Sequence, residues 1–405
     1  MHHQDREVTG GVDTHGDVHV AAVIDSTARI LGAKSFDATP SGYKKLLAWM
    51  RRHGTVVSVG VEGTGSFGAG LARYLAGEGV TVVEVNRPDR QRRRRRGKSD
   101  TVDAESAARA ALSGDASGQP KSADGRVEAI RVLRLARRSG IKARTQAANQ
   151  IRDLIVTAPD QLRSRLRALS TDQRVEACAR FRLAEINEPL GATKAALRTL
   201  ALRHQSLTAE IAALDAQLAQ LCAAVNPALL AAPGVGTEVA ATLLVTAGDN
   251  PQRMRSEASF AALCGTSPVE ASSGKVTRHR LNTGGDRQAN NALWWIVLVR
   301  MSSDPATKAY VARRTAEGKS KKEIIRCLKR HVAREMFKLL TKPPAVPLGS
   351  ELRAQRTQAR LTLAAAAEVL GTWPIAISRL ERGITHDAEL ARRYQLWLQP
   401  KAQAA

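Results

Sequence analysis

The chain has 405 residues, long enough for two or three domains with sizeable buried cores. Its 62 Lys and Arg against 38 Asp and Glu give a formal charge of +24, which points to a polyanionic partner, nucleic acid first. Aromatics at 3% exclude a large base-stacking platform. The scattered Cys178, Cys222, Cys264 and Cys327 form no C-x-x-C pair, so a zinc ribbon or disulfide framework is not expected. No apolar run reaches the roughly eighteen residues of a membrane span, and no apolar signal segment opens the chain; a cytoplasmic protein is expected.

Residues 8–12, 19–24 and 30–36 read as three short strands joined by tight turns, an antiparallel meander. Residues 41–52 have helical spacing (Tyr43, Leu46, Leu47, Met50), with Ser41 as a candidate cap. A strand at 56–61, a helix at 67–76 closed by Gly77, and a strand at 80–85 follow. The order βββαβαβ, followed by helices, is that of an α/β RNase H-like (RuvC-like) domain, assigned to 1–112. Five successive arginines, Arg92, Arg93, Arg94, Arg95 and Arg96, with Lys98 behind them, precede a helix expected from Ser99 or Asp100 to Ala111. Residues 113–125 are Gly-, Ser-, Asp- and Pro-rich and read as a linker.

From 126 to 226 a helical hairpin or coiled coil is expected. Apolar residues at 207, 211, 214, 218, 221 and 225 make a seam that suits either an intramolecular hairpin or a dimer. Residues 227–342 read as a second, mainly α domain closing on a basic amphipathic helix at 321–340. Pro343, Pro344 and Pro347 mark a linker to a small helical module at 350–400.

Asp13 ends the first strand and Glu62 the fourth. In a βββαβ sheet these strands are parallel neighbours, so their carboxylates meet at one edge. Asp100 and Asp103, three residues apart at a helix start, share one face. Four converging acids repel unless cations neutralise them, and hard oxygen ligands suit one or two Mg²⁺ or Mn²⁺ ions able to assist phosphodiester displacement. The bland alternative makes Asp13 a turn residue and Asp100 a helix cap. His15 and His19 are either additional ligands or ordinary hairpin residues. The arginine run is placed to hold phosphates beside the acids, though such runs are often solvated tails.

Residues 63–68, G-T-G-S-F-G, formally match a dinucleotide fingerprint. Glu62 beside the pyrophosphate and a meander in place of a βαβ unit argue against that reading. Gly97-Lys98-Ser99 lacks the first glycine of a phosphate loop and is set aside.

Gly11-Val12-Asp13-Thr14-His15, Val61-Glu62-Gly63-Thr64-Gly65 and Lys98-Ser99-Asp100-Thr101-Val102-Asp103-Ala104 resemble the D, E and DxxD blocks of the DEDD transposases of insertion-sequence family 110. Ser272-Ser273-Gly274 is similar to that family's second conserved block. The resemblance spans about 8–340. It implies metal at Asp13, Glu62, Asp100 and Asp103, and a serine nucleophile, Ser273 with Ser272 in reserve, that links covalently to DNA. Taken alone, these serines read as a turn. The resemblance further implies double-stranded element ends and target DNA as substrates, a structured bridge RNA as guide, and a dimeric or tetrameric assembly acting at the nucleoid.

Three further segments point to nucleic acid. Pro233-Gly234-Val235-Gly236-Thr237 resembles a helix-hairpin-helix turn, with Gly234 and Gly236 offering backbone N–H groups to a phosphate; an ordinary interhelical turn fits equally. Lys275, Arg278, Arg280 and Arg287 surround the serines, and Arg131, Arg134, Arg137, Arg138, Lys142 and Arg144 make the hairpin a candidate RNA surface. Residues 352–383 resemble a Cro/repressor-type helix-turn-helix, with Gly371 in the turn, Pro374 opening the second helix, and Ser378 and Arg379 directed at a groove. A packing module is the alternative. Three other functional classes stay open: a hydrolytic nuclease of the junction-resolvase type, a non-enzymatic DNA-binding regulator, and a nicotinamide-dependent enzyme.

Overall fold

The computed structural model describes residues 6–85, 99–182 and 185–402. The arginine run at 92–96 and Lys98 lie outside the described residues. The chain divides into two compact units, Met1–Gly125 with Ala247–Ser259, and Arg126–Thr246 with Phe260–Ala405.

The first unit is built on strands β1 (Glu7–Thr14), β2 (Val18–Asp25), β3 (Ile30–Asp37), β4 (Thr55–Glu62) and β5 (Thr81–Val85), in the order β3-β2-β1-β4-β5. The meander β1–β2–β3 is antiparallel, and β1, β4 and β5 are parallel. This mixed sheet is compatible with the RNase H-like start read from the sequence. Helices α1 (Pro40–Arg51) and α2 (Ala69–Gly77) cover one face, burying Leu46, Leu47, Met50, Leu71 and Leu75 against Val59, Val61 and Val23. The cap of α1 is Thr39, whose hydroxyl accepts from the Gly42 N–H, and Ser41 lies inside the helix. Pro40 at the first helical position explains the difference: proline is favoured there and puts the cap one residue before it.

Helix α3 (Asp100–Ser113) covers the other face. It lies on β1 and β4 where two glycines are register partners, Gly11 opposite Gly60. A Cβ on Gly11 would stand 2.2 Å from the Ala104 carbonyl oxygen, and one on Gly60 2.4 Å from that of Ala107. Only glycine permits this approach, and the small residues Ala104, Ala107 and Ala108 complete it from the helix side.

The stretch after α3, read from sequence as a linker, is held at several points. Gly118 bridges to Glu84 on β5. Asn250 donates to the Pro120 carbonyl and accepts from the Ser122 N–H, and Arg255 donates to the Ser117 carbonyl. Its Gly/Pro-rich composition rules out a regular element, but its backbone is satisfied by side chains more than a hundred residues away.

In the second unit, α4 (Arg126–Val156) and α7 (Pro189–Val225) lie side by side as a long hairpin. Helices α5 (Asp160–Arg167) and α6 (Thr171–Ala179) close it over Ile151, Leu162, Leu166, Val175 and Leu197. The seam read on α7 is used within the chain: Ile211 and Leu218 are buried, and Gly140 of α4 faces Ile211. Next come α8 (Pro227–Leu230), α9 (Thr237–Ala247), α10 (Glu257–Leu263), a two-stranded hairpin β6 (Val269–Glu270) and β7 (His279–Arg280), and α11 (Arg287–Ser303), α12 (Pro305–Ala316) and α13 (Lys321–Thr341). The chain ends in α14 (Gly349–Gln358), α15 (Leu363–Leu370), α16 (Pro374–Glu381) and α17 (Ala388–Ala402) around Leu352, Leu370, Ile377, Leu380 and Tyr394.

Candidate functional site

The C-terminal ends of β1 and β4 and the N-terminus of α3 meet at one edge of the sheet. Val12 pairs with Val61 across the parallel ladder, and the Thr14 hydroxyl donates to the Glu62 carbonyl at 2.8 Å, tying the strand ends together. Ser99 caps α3, its hydroxyl accepting from the Val102 N–H, so Asp100 is the first helical residue and not the cap. This removes the bland role the sequence offered Asp100 and leaves its carboxylate half exposed at the edge. Asp103, one turn on, is buried.

Asp13, His15 and Asp100 converge. The His15 Nε2 stands 3.2 Å from an Asp13 carboxylate oxygen and 3.6 Å from one of Asp100. One potential ligand atom from each of the three lies within 4.8 Å of the others. Burial pushes the Asp13 carboxyl above its ordinary range; His15 counters this, and the charges of Asp103 and Asp100 add to the rise. An ionised Asp13 is thus at odds with its surroundings, which a cation would relieve. The donor set, carboxylate oxygens with one imidazole, fits a divalent ion. Glu62 sits at the adjoining strand end, outside the trio of converging atoms.

His15 is both a hairpin residue, its N–H donating to the Val18 carbonyl, and a neighbour of two of the acids. The D-x-H spacing was visible in sequence; its value depended on Asp100 arriving from a helix 85 positions away. His19 instead is buried and stacked on Tyr43, and burial holds its imidazole below its ordinary range. The Gly63 fingerprint is a turn beside this edge: Gly63 takes φ +67° and its carbonyl accepts from the Ser66 and Gly68 N–H groups. The Thr64 hydroxyl donates to the Glu84 carboxylate at 2.9 Å.

In the second unit, Ser273 and Val276 exchange backbone hydrogen bonds around Gly274-Lys275. Gly274 has φ +58°, the requirement of a two-residue hairpin turn with glycine first. The two serines differ. The Ser272 hydroxyl accepts from the Arg278 N–H at 3.1 Å and points back to its carbonyl. Among the described residues, the Ser273 hydroxyl has no hydrogen-bond partner. Lys275, Arg278 and Arg280 are exposed along the same hairpin, and Arg287 opens α11.

The chain matches the DEDD IS110 transposase family over residues 10–158 and the "Transposase IS116/IS110/IS902 family" over residues 226–312. The chain belongs to the IS110/IS116/IS902 transposases. Its acid edge falls in the first match of this family and its serine hairpin in the second. A member from Streptomyces coelicolor, "Insertion element IS110 uncharacterized 43.6 kDa protein", is 34% identical over 149 residues, covering 35% of this chain and 36% of that one. The chain thus spans about a third of that curated relative's length in the match.

Several expected nucleic-acid contacts are spent inside the chain. Arg134 is buried and binds Glu238 and Gln288, Arg137 binds Asp215 and Glu238, and Arg131 is bidentate to Glu128. Arg134 and Arg137 are ties between helices, paired where α9 and α7 approach α4, whereas Arg131 is paired within α4. Arg138, Lys142 and Arg144 remain on the hairpin. Arg152, Arg163, Arg167 and Arg174 line a cavity of about 270 Å³ near its end, a cluster the sequence showed only as scattered basic residues. At the glycine turn, Gly234 takes φ +78° against α11 and Arg300 holds the Pro233 carbonyl, so Gly234 serves packing, while a Cβ on Gly236 would meet nothing. In the C-terminal helices, Gly371 (φ +63°) ends α15, Pro374 opens α16, Arg379 is exposed and Ser378 is partly so. Among the described residues, no helix is long and apolar enough to cross a membrane.

Proposed function

We propose that this family member is an insertion-sequence transposase acting as a site-specific DNA recombinase, cleaving and rejoining strands through a serine. The observation that carries the reading is the meeting of Asp13, His15 and Asp100 at one sheet edge, with Asp103 behind and Glu62 on the neighbouring strand. Asp13, Glu62, Asp100 and Asp103 would hold Mg²⁺ or Mn²⁺, with His15 as a further ligand or orienting group. Such an ion neutralises the acids and polarises a phosphodiester. Ser273 is assigned as nucleophile, with Ser272 in reserve. The free Ser273 hydroxyl at a hairpin tip, against the tied Ser272 hydroxyl, supports that order.

In the reaction, the Ser273 Oγ–P bond forms as the P–O bond to one DNA strand breaks; the serine proton is lost and the leaving oxygen gains one. Attack on the phosphoserine by a hydroxyl of another strand reverses the step, so phosphodiester bonds are conserved and no energy source is needed. The acids lie in the first compact unit and Ser273 in the second, and both are assigned to one reaction carried out by a dimer or tetramer. Double-stranded element ends and target are the substrates. A structured bridge RNA is the guide, met by Arg138, Lys142, Arg144 and the arginines at the hairpin end. The segment holding Arg92 to Arg96 and Lys98, the serine hairpin's Lys275, Arg278 and Arg280, Arg287 and Gly236 of the glycine turn are assigned to phosphates. The α15–α16 pair, with Ser378 and Arg379, is assigned to a DNA groove. The protein would work at the nucleoid in the cytoplasm.

The test is formation of an SDS-resistant protein–DNA adduct with Mg²⁺, element-end DNA and RNA transcribed from the gene's flanks. The adduct is expected in wild type and Ser272→Ala and absent in Ser273→Ala and Asp13→Ala. Cleavage without adduct that survives Ser273→Ala would leave a hydrolytic nuclease in its place.

A further inference from the structure

The second unit contains a cavity of about 690 Å³ that the reaction above touches only through Arg287. Its size is that of ligand pockets, which run about 300–1,000 Å³. Two features of its position matter. Residues 266–268, just before β6, and 281–283, just after β7, both line it, so it lies at the foot of the hairpin that carries Ser273. Its opposite wall is α13, through Arg326, Lys329 and Arg330, with Arg287 from α11 and Tyr310 from α12.

The lining is one-signed. It includes four Lys or Arg residues, and no Asp or Glu. The acids that border it in sequence serve helix ends: Asp286 accepts from the Gln288 and Ala289 N–H groups, and Glu323 closes a capping box with Ser320. Lys329 is fixed by a 2.8 Å hydrogen bond to Asn290, which in turn donates to the Cys264 and Gly265 carbonyls. Arg287 and Arg326 form no ion pair among the described residues. Burial, and then the Arg326 charge, hold the Lys329 ammonium below its ordinary range. Cations crowded into a partly dry wall without carboxylates are arranged for an anion. Apolar groups, the Tyr310 ring and the exposed Leu281 among them, make up much of the rest of the surface, with Thr266, Ser267, Asn282 and Thr283 interspersed.

An anion site joined to an apolar, ring-bearing wall has the chemistry of a nucleotide: phosphate on the guanidinium and ammonium groups, base among Tyr310 and the aliphatic surface. We propose that this cavity receives one unstacked deoxynucleotide of the strand that Ser273 attacks. The nucleotide is held through its phosphate by Arg326, Lys329 and Arg287, and its occupancy sets the position of the serine hairpin. The inference rests on the reading of the protein as a DNA strand-transfer enzyme and adds a binding site to it. Because the two feet of the hairpin form part of the cavity wall, a seated nucleotide fixes the strand's register against the Ser273 hydroxyl.

The test uses the full chain and a short single-stranded deoxyoligonucleotide with one 2-aminopurine, its RNA counterpart and its duplex, without divalent metal. Wild type is expected to change the aminopurine emission of the DNA single strand. Arg326→Ala/Lys329→Ala should weaken that binding about tenfold or more and flatten its salt dependence by about 1.4 in log–log slope, two phosphate contacts on a single strand. Ser267→Trp narrows the cavity and leaves every cation in place; it should remove the emission change and weaken binding while keeping the wild-type melting temperature, which guards against a folding defect in the double variant. Unchanged emission with wild type, variants that behave as wild type, or a response to RNA alone would overturn the proposal. Ser273→Ala should keep the response. A response without any adduct therefore removes the serine chemistry alone, and an adduct without a response removes the pocket alone.

Discussion

At the scale of single residues, Asp13 shows what the acid edge costs. Its carboxyl titrates above the unfolded value of 3.8, mainly through burial. A raised carboxyl contributes stability that is fully present below the unfolded value and is lost as pH rises through the folded one. At neutral pH the ion-free protein therefore holds Asp13 ionised against its environment, and a bound cation reverses that. Mn²⁺ is expected to raise the melting temperature by about 2–4 °C, the shift that 1 kcal/mol gives a domain of this size. In Asp13→Asn the gain should vanish, and the melting temperature in chelator should equal or exceed that of wild type. An Asp13→Asn protein that keeps the full Mn²⁺ shift would take Asp13 out of the metal set. Asp13 and Asp100 were legible because each stands at a strand end or helix start. His15 was not decided, because its role depends on which side chain arrives opposite it. Arg134 and Arg137 looked like surface cations for the same reason: their partners, Glu238 and Asp215, come from other helices.

At the scale of elements, α3 is held where it is by absence of side chain. Gly11 and Gly60 face it from neighbouring strands, and Ala104, Ala107 and Ala108 answer from the helix. Gly11→Val places two methyl groups where the helix backbone now sits. Overpacking of a filled core costs about 1–3 kcal/mol or more, and here the displaced object is the helix that carries Asp100 and Asp103. Gly11→Val is thus expected to lower the unfolding midpoint in urea and to abolish the Mn²⁺ shift together. Gly77→Ala, in α2 with open space around its Cα, should gain about 0.5–1 kcal/mol and keep the shift. If Gly11→Val retained the Mn²⁺ response, the seating of α3 would not govern the site. The strands and α1–α3 were readable because alternation, helical spacing and caps are local signals. The glycine pair was not, since strand register is needed to bring the two positions together.

A second element-scale device sits in the C-terminal helices. Glu381 is buried, which alone would push its carboxyl up; hydrogen bonds from Arg356 and Tyr394, and the Arg356 charge, outweigh this and hold it below its ordinary range. A depressed carboxyl contributes stability present above the unfolded value and lost as pH falls through the folded one. Tryptophan fluorescence from Trp373 and Trp397 should report loosening of these helices on acidification below the ordinary Glu value of 4.5. In Glu381→Gln the module should be weaker at neutral pH, with a flatter acid response. An acid profile identical to wild type would show that the Arg356–Glu381–Tyr394 group does not control the module.

At the scale of the whole molecule, the formal charge of +24 is unevenly committed. Part of it ties helices together, as at Arg134, Arg137, Arg300 and Arg356. Among the described residues, other cations lie on surfaces of distinct kinds, among them the serine hairpin, the helical hairpin and α16. The sequence revealed the excess but not this division, which depends on pairings far apart in the chain. It also missed that residues 247–259 belong with the first unit, because Asn250, Arg253 and Arg255 reach back to a segment with no regular structure of its own. A division of labour predicts different salt behaviour for different arginines. Phosphate contacts weaken all DNA alike when removed, whereas a base contact costs only the preferred sequence, about 1–3 kcal/mol. Arg138→Ala/Lys142→Ala/Arg144→Ala should lower affinity for structured RNA and flatten its salt dependence, with duplex discrimination unchanged. Arg379→Ala should instead reduce the ratio of element-end to random-duplex affinity by about tenfold and leave the random duplex within about twofold. Equal losses on both duplexes would make α16 a general phosphate contact. No loss on either would leave α14–α17 a packing module, and end recognition would then fall to other elements or to the proposed guide RNA.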